Sequence, residues 1–384
     1  MLNQAFTWFL VTYQEEFRRG KVAAFETLLL LSVSHLFGLY NPKALADYLH
    51  ISHQRLYERL RDFSLYSLQE MLLRFQVKQA VEHLRPVLDK SDATRSRSGI
   101  SLGVDDSVID RVGRLLRNTH SWYSGRWKQV VNGQDLLGIV LTINGFVLPL
   151  SLRYCAKQGR ANTDKPSLLI AMLTRLKAEF EQAGIDLTAF PITLDSWYVS
   201  QPLREELYRL GFHKIVLAGK GNYRFTIGDQ DQDASAWKKD LDLLESQWGV
   251  DVPAFRVQAQ SPTFGKLVLF FYRKSTTRSY YLMDFSRPHL RGAELWHIWK
   301  QHHWVEVFWK ALKSIFKIQA MQLPGDGLYT GLLIKVLAYL LVIWIKTQRA
   351  FSKFSLVQLM RKIQREEDLK TLWTEHFHLP IPAT

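Results

Sequence analysis

Two apolar runs, Leu136 to Asn144 and Phe146 to Tyr154, meet at the dipeptide Asn144-Gly145. A reversal this tight needs positive φ at both central positions, which asparagine and glycine supply at least cost. It forces the flanking strands to lie side by side and antiparallel. The chain must therefore build a sheet around this hairpin, and the segments on either side are read against it.

An apolar segment, Ile100 to Asp105, precedes the hairpin. After it come a helix-period stretch from Pro166 to Ala183, a short strand from Ile192 to Asp195, a second helix from Ser200 to Leu210 and a strand from Ile215 to Ala218. Three adjoining strands, helix, strand, helix, strand is the order of an RNase H-like core: a mixed five-stranded α/β sheet with helices. Mixed sheets of this kind gather ligands at the carboxyl ends of their strands. The core is expected over 100–221. Strand-like segments at Phe255 to Ala259, Lys266 to Tyr272 and Ser279 to Met283, with Arg273, Lys274 and Arg278 in basic turns, predict a β-rich insertion over 222–289. The core then resumes with helices over 290–345, and a C-terminal helical region covers 346–384. Within it, Gly331 to Ile345 is strongly apolar but interrupted by Lys335 and shorter than the roughly 20 residues of a bilayer span, so it reads as a buried helix.

Residues 1–90 have apolar positions at helical spacing and predict an all-α N-terminal domain. At about 43–62, Leu45, Leu49, Leu56 and Leu60 can pack two short helices into a helix-turn-helix. Pro42 suits a first helical position and Ser52 an N-cap. His53, Gln54, Arg55 and Arg59 on the second helix would face DNA. The turn lacks the glycine often found there. The polar run 91–99 reads as a linker.

A chain of 384 residues predicts two or three domains. Fifty Lys+Arg against 36 Asp+Glu give a net charge of +14, which attracts polyanions, nucleic acid first and anionic membranes second. The single cysteine, Cys155, excludes a disulfide framework and a cysteine-based zinc site, and the twelve histidines have no paired ligand spacing. No segment has the pattern of a secretory signal, so the expected location is the cytoplasm, at the nucleoid, with no membrane partner.

Three acids stand in characteristic settings. Asp105 closes the apolar run in Ser-Leu-Gly-Val-Asp-Asp-Ser, Asp195 ends Phe-Pro-Ile-Thr-Leu-Asp, and Glu306 lies in Trp-Val-Glu-Val-Phe-Trp-Lys-Ala-Leu-Lys. Carboxylates grouped in this way can hold divalent cations for phosphoryl transfer. Taken together, they resemble the acids of bacterial insertion-sequence transposases of the DDE type, in the group whose third acid lies in a Tyr-x2-Arg-x3-Glu-x6-Lys signature. Six residues separate Glu306 from Lys313, as that signature requires. Trp299 and His302 stand where it has Tyr and Arg. Asp105-Asp106-Ser107 is similar to the group's first acidic motif, and the longer gap from 195 to 306 leaves room for the insertion.

The resemblance covers roughly 100–345. It implies Asp105, Asp195 and Glu306 as catalytic ligands of two Mg2+ ions, with Mn2+ an acceptable substitute. It also implies cut-and-paste transposition: cleavage at the terminal inverted repeats, joining of the 3′-hydroxyl ends to target DNA, and a homodimer on double-stranded DNA. Lys313, Lys310, His302 and Trp299 would hold phosphates, and the basic turn Lys220 to Arg224 is a further candidate contact. Asp106 would either support the metal ligands from behind or cap the turn after the first strand, and Trp237, Trp248, Trp296 and Trp299 are candidates to hold a flipped base. Two other functions share these features: a DNA-binding regulator without chemistry, and an RNase H-like nuclease that cuts without joining.

Overall fold

The computed structural model describes residues 2–12, 22–60, 65–89, 99–110, 118–158, 162–239, 252–275, 278–320, 323 and 327–376. It is a mixed α/β chain with one mixed sheet of 11 strands and twelve described helices. The chain divides into two compact units. One combines 1–76, 108–135 and 308–384; the other combines 77–107 and 136–307. This grouping departs from the linear order read in the sequence, because the helices of the two chain ends share a unit. The linker at 91–99 lies outside the described residues except for Gly99.

The central strands follow the expected order. Strand β1 (Ser101–Asp110) is followed by β2 (His120–Ser124), β3 (Gln129–Ile143) and β4 (Phe146–Tyr154). Asn144 and Gly145 take φ of 50° and 84°, so the β3–β4 turn is built as the sequence predicts. A short two-stranded ribbon, β5 (Lys157–Gln158) and β6 (Asn162–Thr163), leads into the first core helix. The helices at Lys165–Gln182 and Gln201–Leu210 alternate with β7 (Ile192–Leu194) and β8 (Ile215–Ala218). β1 pairs with β7 and β7 with β8, both in parallel.

Two expectations are corrected. Asp105 does not end β1, which runs on to Asp110; only its pairing with β7 stops at Val104↔Leu194. The sheet is also larger than five strands. The insertion's β9 (Arg224–Ile227), β10 (Gln230–Asp233), β11 (Ala254–Ser261), β12 (Gly265–Ser275) and β13 (Arg278–Asp284) extend it, because β13 pairs antiparallel with β8. The free edge of β8 offers unpaired backbone groups, and β13 satisfies them. Phe270, Leu282 and Val216 then share one core with Leu295 and Ile298 from the helix at Gly292–Ser314.

The terminal unit contains α1 (Leu2–Thr12), α2 (Val22–Ser34), α3 (Pro42–Leu49), α4 (His53–Leu60) and the first half of α5 (Leu65–Leu88). Asn41 caps α3 by accepting from the Ala44 backbone N–H at 2.9 Å, and Pro42 sits at the helix start. The α3–α4 turn manages without glycine because His50 takes the left-handed conformation, φ 56°. Lys128 (φ 53°) and Lys317 (φ 47°) do the same elsewhere, each at a cost of about 1–2 kcal/mol relative to glycine.

The remaining helices are α6 (Lys165–Gln182), α7 (Gln201–Leu210), α8 (Ala234–Lys239), α9 (Gly292–Ser314), α10 (Gly327–Thr347), α11 (Leu356–Glu366) and α12 (Leu369–His376). Helix α10 is longer than its apolar run. Among the described residues it is the one helix long and apolar enough to cross a membrane, yet 89% of its most apolar window is buried within the protein. It packs on α2, and at its centre Lys335 is fully buried. The Lys335 ammonium donates to His35 Nε2 at 2.8 Å and to the Phe316 carbonyl at 3.0 Å. His35 Nδ1 in turn donates to the Leu31 carbonyl at 2.5 Å, which leaves Nε2 as the acceptor. Burial first, and the Lys335 charge second, hold the His35 pKa well below its ordinary value. Replacing His35 with leucine removes the acceptor from a buried charge. His35→Leu is expected to cost about 2–3 kcal/mol in urea-unfolding free energy.

Candidate active site

Two contacts seat α9 on the central strands. Gly103 of β1 has no side chain, and a Cβ there would meet Val305 Cβ at 3.4 Å and Val140 Cγ2 at 3.3 Å. The bare backbone lets Val305 come down onto β1. One turn earlier, His302 Nδ1 lies 3.0 Å from Thr193 Oγ1 on β7. The Thr193 hydroxyl gives its proton to the Leu102 carbonyl at 3.1 Å, so it accepts from His302 Nδ1–H, and His302 Nε2 carries no proton. Val305 and His302 thus rest on residues two positions before Asp105 and Asp195. Glu306 follows Val305 and reaches the same end of the strands.

The electrostatics agree with this placement. Asp105 is half-buried, and its pKa is raised well above the carboxylate range. Burial is the largest cause, followed by the charges of Asp106, Asp195 and Glu306. Asp195 and Glu306 are exposed. Asp195 Oδ1 accepts from its neighbour Ser196 N–H at 2.6 Å, and Glu306 Oε2 lies 3.2 Å from His303 Nδ1. Among the described residues, no three His, Cys, Asp or Glu side chains stand in a ready metal cage. The donor set is nonetheless three carboxylates with mutually repelling charge, the chemistry that suits a hard divalent cation. Such an ion would have to draw Asp195 and Glu306 from their local partners.

A clamp that the sequence did not reveal lies beside them. Asp106, expected to cap a turn, instead accepts from Lys165 Nζ at 2.8 Å and from the Tyr198 hydroxyl at 2.8 Å. Lys165 and Asp106 are mostly buried, and Tyr198 is fully so. The Lys165 ammonium also lies 4.8 Å from the ring centre of Trp197, which is 43% exposed. The clamp ties β1, the start of α6 and the turn after β7 into one corner. Its only trace in the sequence is position: Asp106 follows Asp105, Trp197 and Tyr198 follow Asp195, and Lys165 opens a helix.

Other expected contacts are placed differently. His302 is buried and stacks on Trp299 with ring centres 4.6 Å apart, and burial lowers its pKa to about 4. As placed, it offers a phosphate neither charge nor an exposed donor. Trp299 Nε1 donates to the Tyr272 hydroxyl at 3.1 Å. The Tyr and Arg of the expected signature are thus replaced by a packing pair. Lys310 is exposed on α9, and Lys313 is half-exposed on the same helix. Lys220 is exposed on the loop after β8, whose Gly219 lies against the Tyr281 ring. Arg224 is held by Asp231 at 2.7 Å across the β9–β10 hairpin.

Trp296 packs on Phe270 and Tyr272, and Trp237 Nε1 donates to the Phe225 carbonyl at 3.0 Å, so both serve the core. Trp248 lies outside the described residues. His53, Gln54 and Arg55 are exposed on α4, with Gln54 donating to Glu58 at 3.1 Å; Arg59 is half-buried. Cys155 is buried. No protein-family model matches the chain, and no curated protein matches it.

Two outcomes follow. Lys165→Met leaves the Asp106 carboxylate buried beside Asp105 without its cation, so it is expected to destabilise by about 3 kcal/mol in urea titrations; Asp106→Asn in the same chain should restore most of the loss. His302 stays neutral in the folded chain, whereas an unfolded histidine gains a proton below about pH 6.5. Stability should therefore fall as pH drops from about 6.5 toward 4, by about 3 kcal/mol in total, and this component should be absent from the pH series of His302→Gln.

Proposed function

We propose that the chain is a DDE-type DNA transposase with an RNase H-like core. It would cleave DNA at the ends of an insertion sequence and join the freed 3′-hydroxyl ends to target DNA, working as a homodimer on paired ends. The observation that carries this reading is that Asp105, just beyond the β1–β7 parallel pairing, feels the charges of both Asp195 and Glu306. The sheet order β4-β3-β1-β7-β8, with the insertion added beyond β8, supports the core assignment.

Asp105, Asp195 and Glu306 would hold Mg2+, which supplies a Lewis acid for the scissile phosphate and an activated water or 3′-hydroxyl. Before that, the chain's own groups prepare the site. The Lys165–Asp106–Tyr198 clamp fixes the backbone that carries Asp105, and α9 fixes Glu306 through Val305 and His302. Burial, and after it the neighbouring carboxylates, hold the Asp105 pKa above the ordinary range, so this carboxyl keeps a proton to higher pH than a free aspartate. Lys310 and Lys313, one and two turns beyond Glu306 on α9, would neutralise backbone phosphates near the site. His53, Gln54 and Arg55 on α4 would contact the terminal repeat.

The test is incubation of the full chain with double-stranded DNA carrying the inverted repeats that flank its gene, with Mg2+, followed by product analysis. Cleaved and joined products are expected. Glu306→Gln should lower their rate at least about a hundredfold, with DNA binding retained. Cleavage without joining points to a nuclease. Binding without Mg2+-dependent cleavage, or cleavage indifferent to Glu306→Gln, overturns the transposase reading.

A further inference from the structure

The β2–β3 hairpin ends in a surface that the carboxylate site does not use. Tyr123 and Val130 are directly paired across the strands and are 63% and 64% exposed, while Trp122 next to them is buried on the opposite face. In the turn between them, Trp127 is 51% exposed. Its indole N–H donates to the Asp110 carboxylate. The Arg126 guanidinium lies 4.8 Å from the Trp127 ring centre. Large apolar groups exposed this far on one short ribbon mark an interaction surface.

The charges around the tip are basic. A concave pocket of about 360 Å3 opens beside the hairpin, and Arg126, Lys313 and Lys317 line it with Ser124 and Gln319. The acidic group in its lining is Asp110, already engaged by Trp127. Lys128 in the turn and Lys317 at the pocket both hold the left-handed backbone conformation that glycine adopts without strain. Both positions thus place an ammonium group beside the tip on backbone that glycine would hold without strain.

We propose that the β2–β3 hairpin tip binds a single-stranded, unpaired segment of DNA. Trp127 and Tyr123 would stack on exposed bases, while Arg126, Lys128 and Lys317 take the phosphates. The chemistry selects this ligand. Cations beside exposed aromatic rings match a polyanion whose bases offer open π faces, and a duplex hides those faces inside its stack. None of Asp105, Asp195 and Glu306 belongs to this hairpin, and the proposal does not rest on the transposase reading.

The experiment is fluorescence anisotropy of a labelled oligo-dT with the full chain in EDTA, at about 50 and about 200 mM salt. Trp127→Ala is expected to weaken binding about tenfold, and Trp127→Phe to recover most of it. Lys128→Gly and Lys317→Gly should each reduce the salt slope by about one while leaving the melting temperature unchanged or higher, which loss of fold would not do. An unchanged oligo-dT affinity in Trp127→Ala overturns the proposal. So does a Lys→Gly series with an unchanged slope, or an equal loss of duplex and oligo-dT binding. If Trp127→Ala instead converts a dimer to a monomer by light scattering with oligo-dT affinity intact, the surface serves self-association and the proposal fails. A chain that binds oligo-dT as described but cuts no DNA in Mg2+ keeps this proposal and overturns the transposase reading.

Discussion

Asp105 is held half-buried at a point where the charges of Asp106, Asp195 and Glu306 all reach it. The Asp106 charge is offset at close range by Lys165, with the Tyr198 hydroxyl as a second donor. Among the described residues no lysine or arginine pairs with the other three, and burial first, then the neighbouring charges, raise the Asp105 pKa. A half-buried carboxyl that resists ionisation is costly to a protein with only a few kcal/mol of net stability.

Helix α9 carries the other half of the arrangement. It is held over the strands by a glycine that lacks a side chain, a valine that fills the space, and a histidine with a fixed tautomer. None of these groups carries a full charge at neutral pH, so the helix position does not depend on the ions that the site would bind. The Trp299–His302 pair belongs to this seating. Stacked and buried, the two rings link β7 through Thr193 to β12 through Tyr272. The departure from the Tyr and Arg of the resembled signature is therefore explained by packing.

Much of the core was legible in the sequence because its cues are local. Asn144-Gly145 specifies its own turn, and the apolar runs at 136–154, 192–194 and 215–218 announce strands by length and composition. The settings of Asp105, Asp195 and Glu306 were legible for the same reason. Lys165 and Tyr198 were not: they meet Asp106 from 59 and 92 residues away, and no periodicity records such a pairing. The length of β1 was hidden because the polar Asp105-Asp106-Ser107 breaks its apolar pattern while the backbone continues extended. The growth of the sheet beyond five strands was hidden too, since alternation reveals that a segment is a strand but not which edge it will join. His302 was misplaced because a histidine amid aromatics reads equally as a surface donor or a core ring, and only burial distinguishes them.

The ammonium at the centre of α10 also matters before the chain is folded. During synthesis, Gly327–Thr347 emerges as a stretch that insertion machinery would weigh as a membrane segment, and a lysine near its middle opposes insertion by about 2.5–3.5 kcal/mol. Its acceptor, His35, lies 300 residues earlier and has long been made when Lys335 appears. The residue that looks least suited to its helix thus biases the nascent segment away from lipid and toward a docking place that already exists.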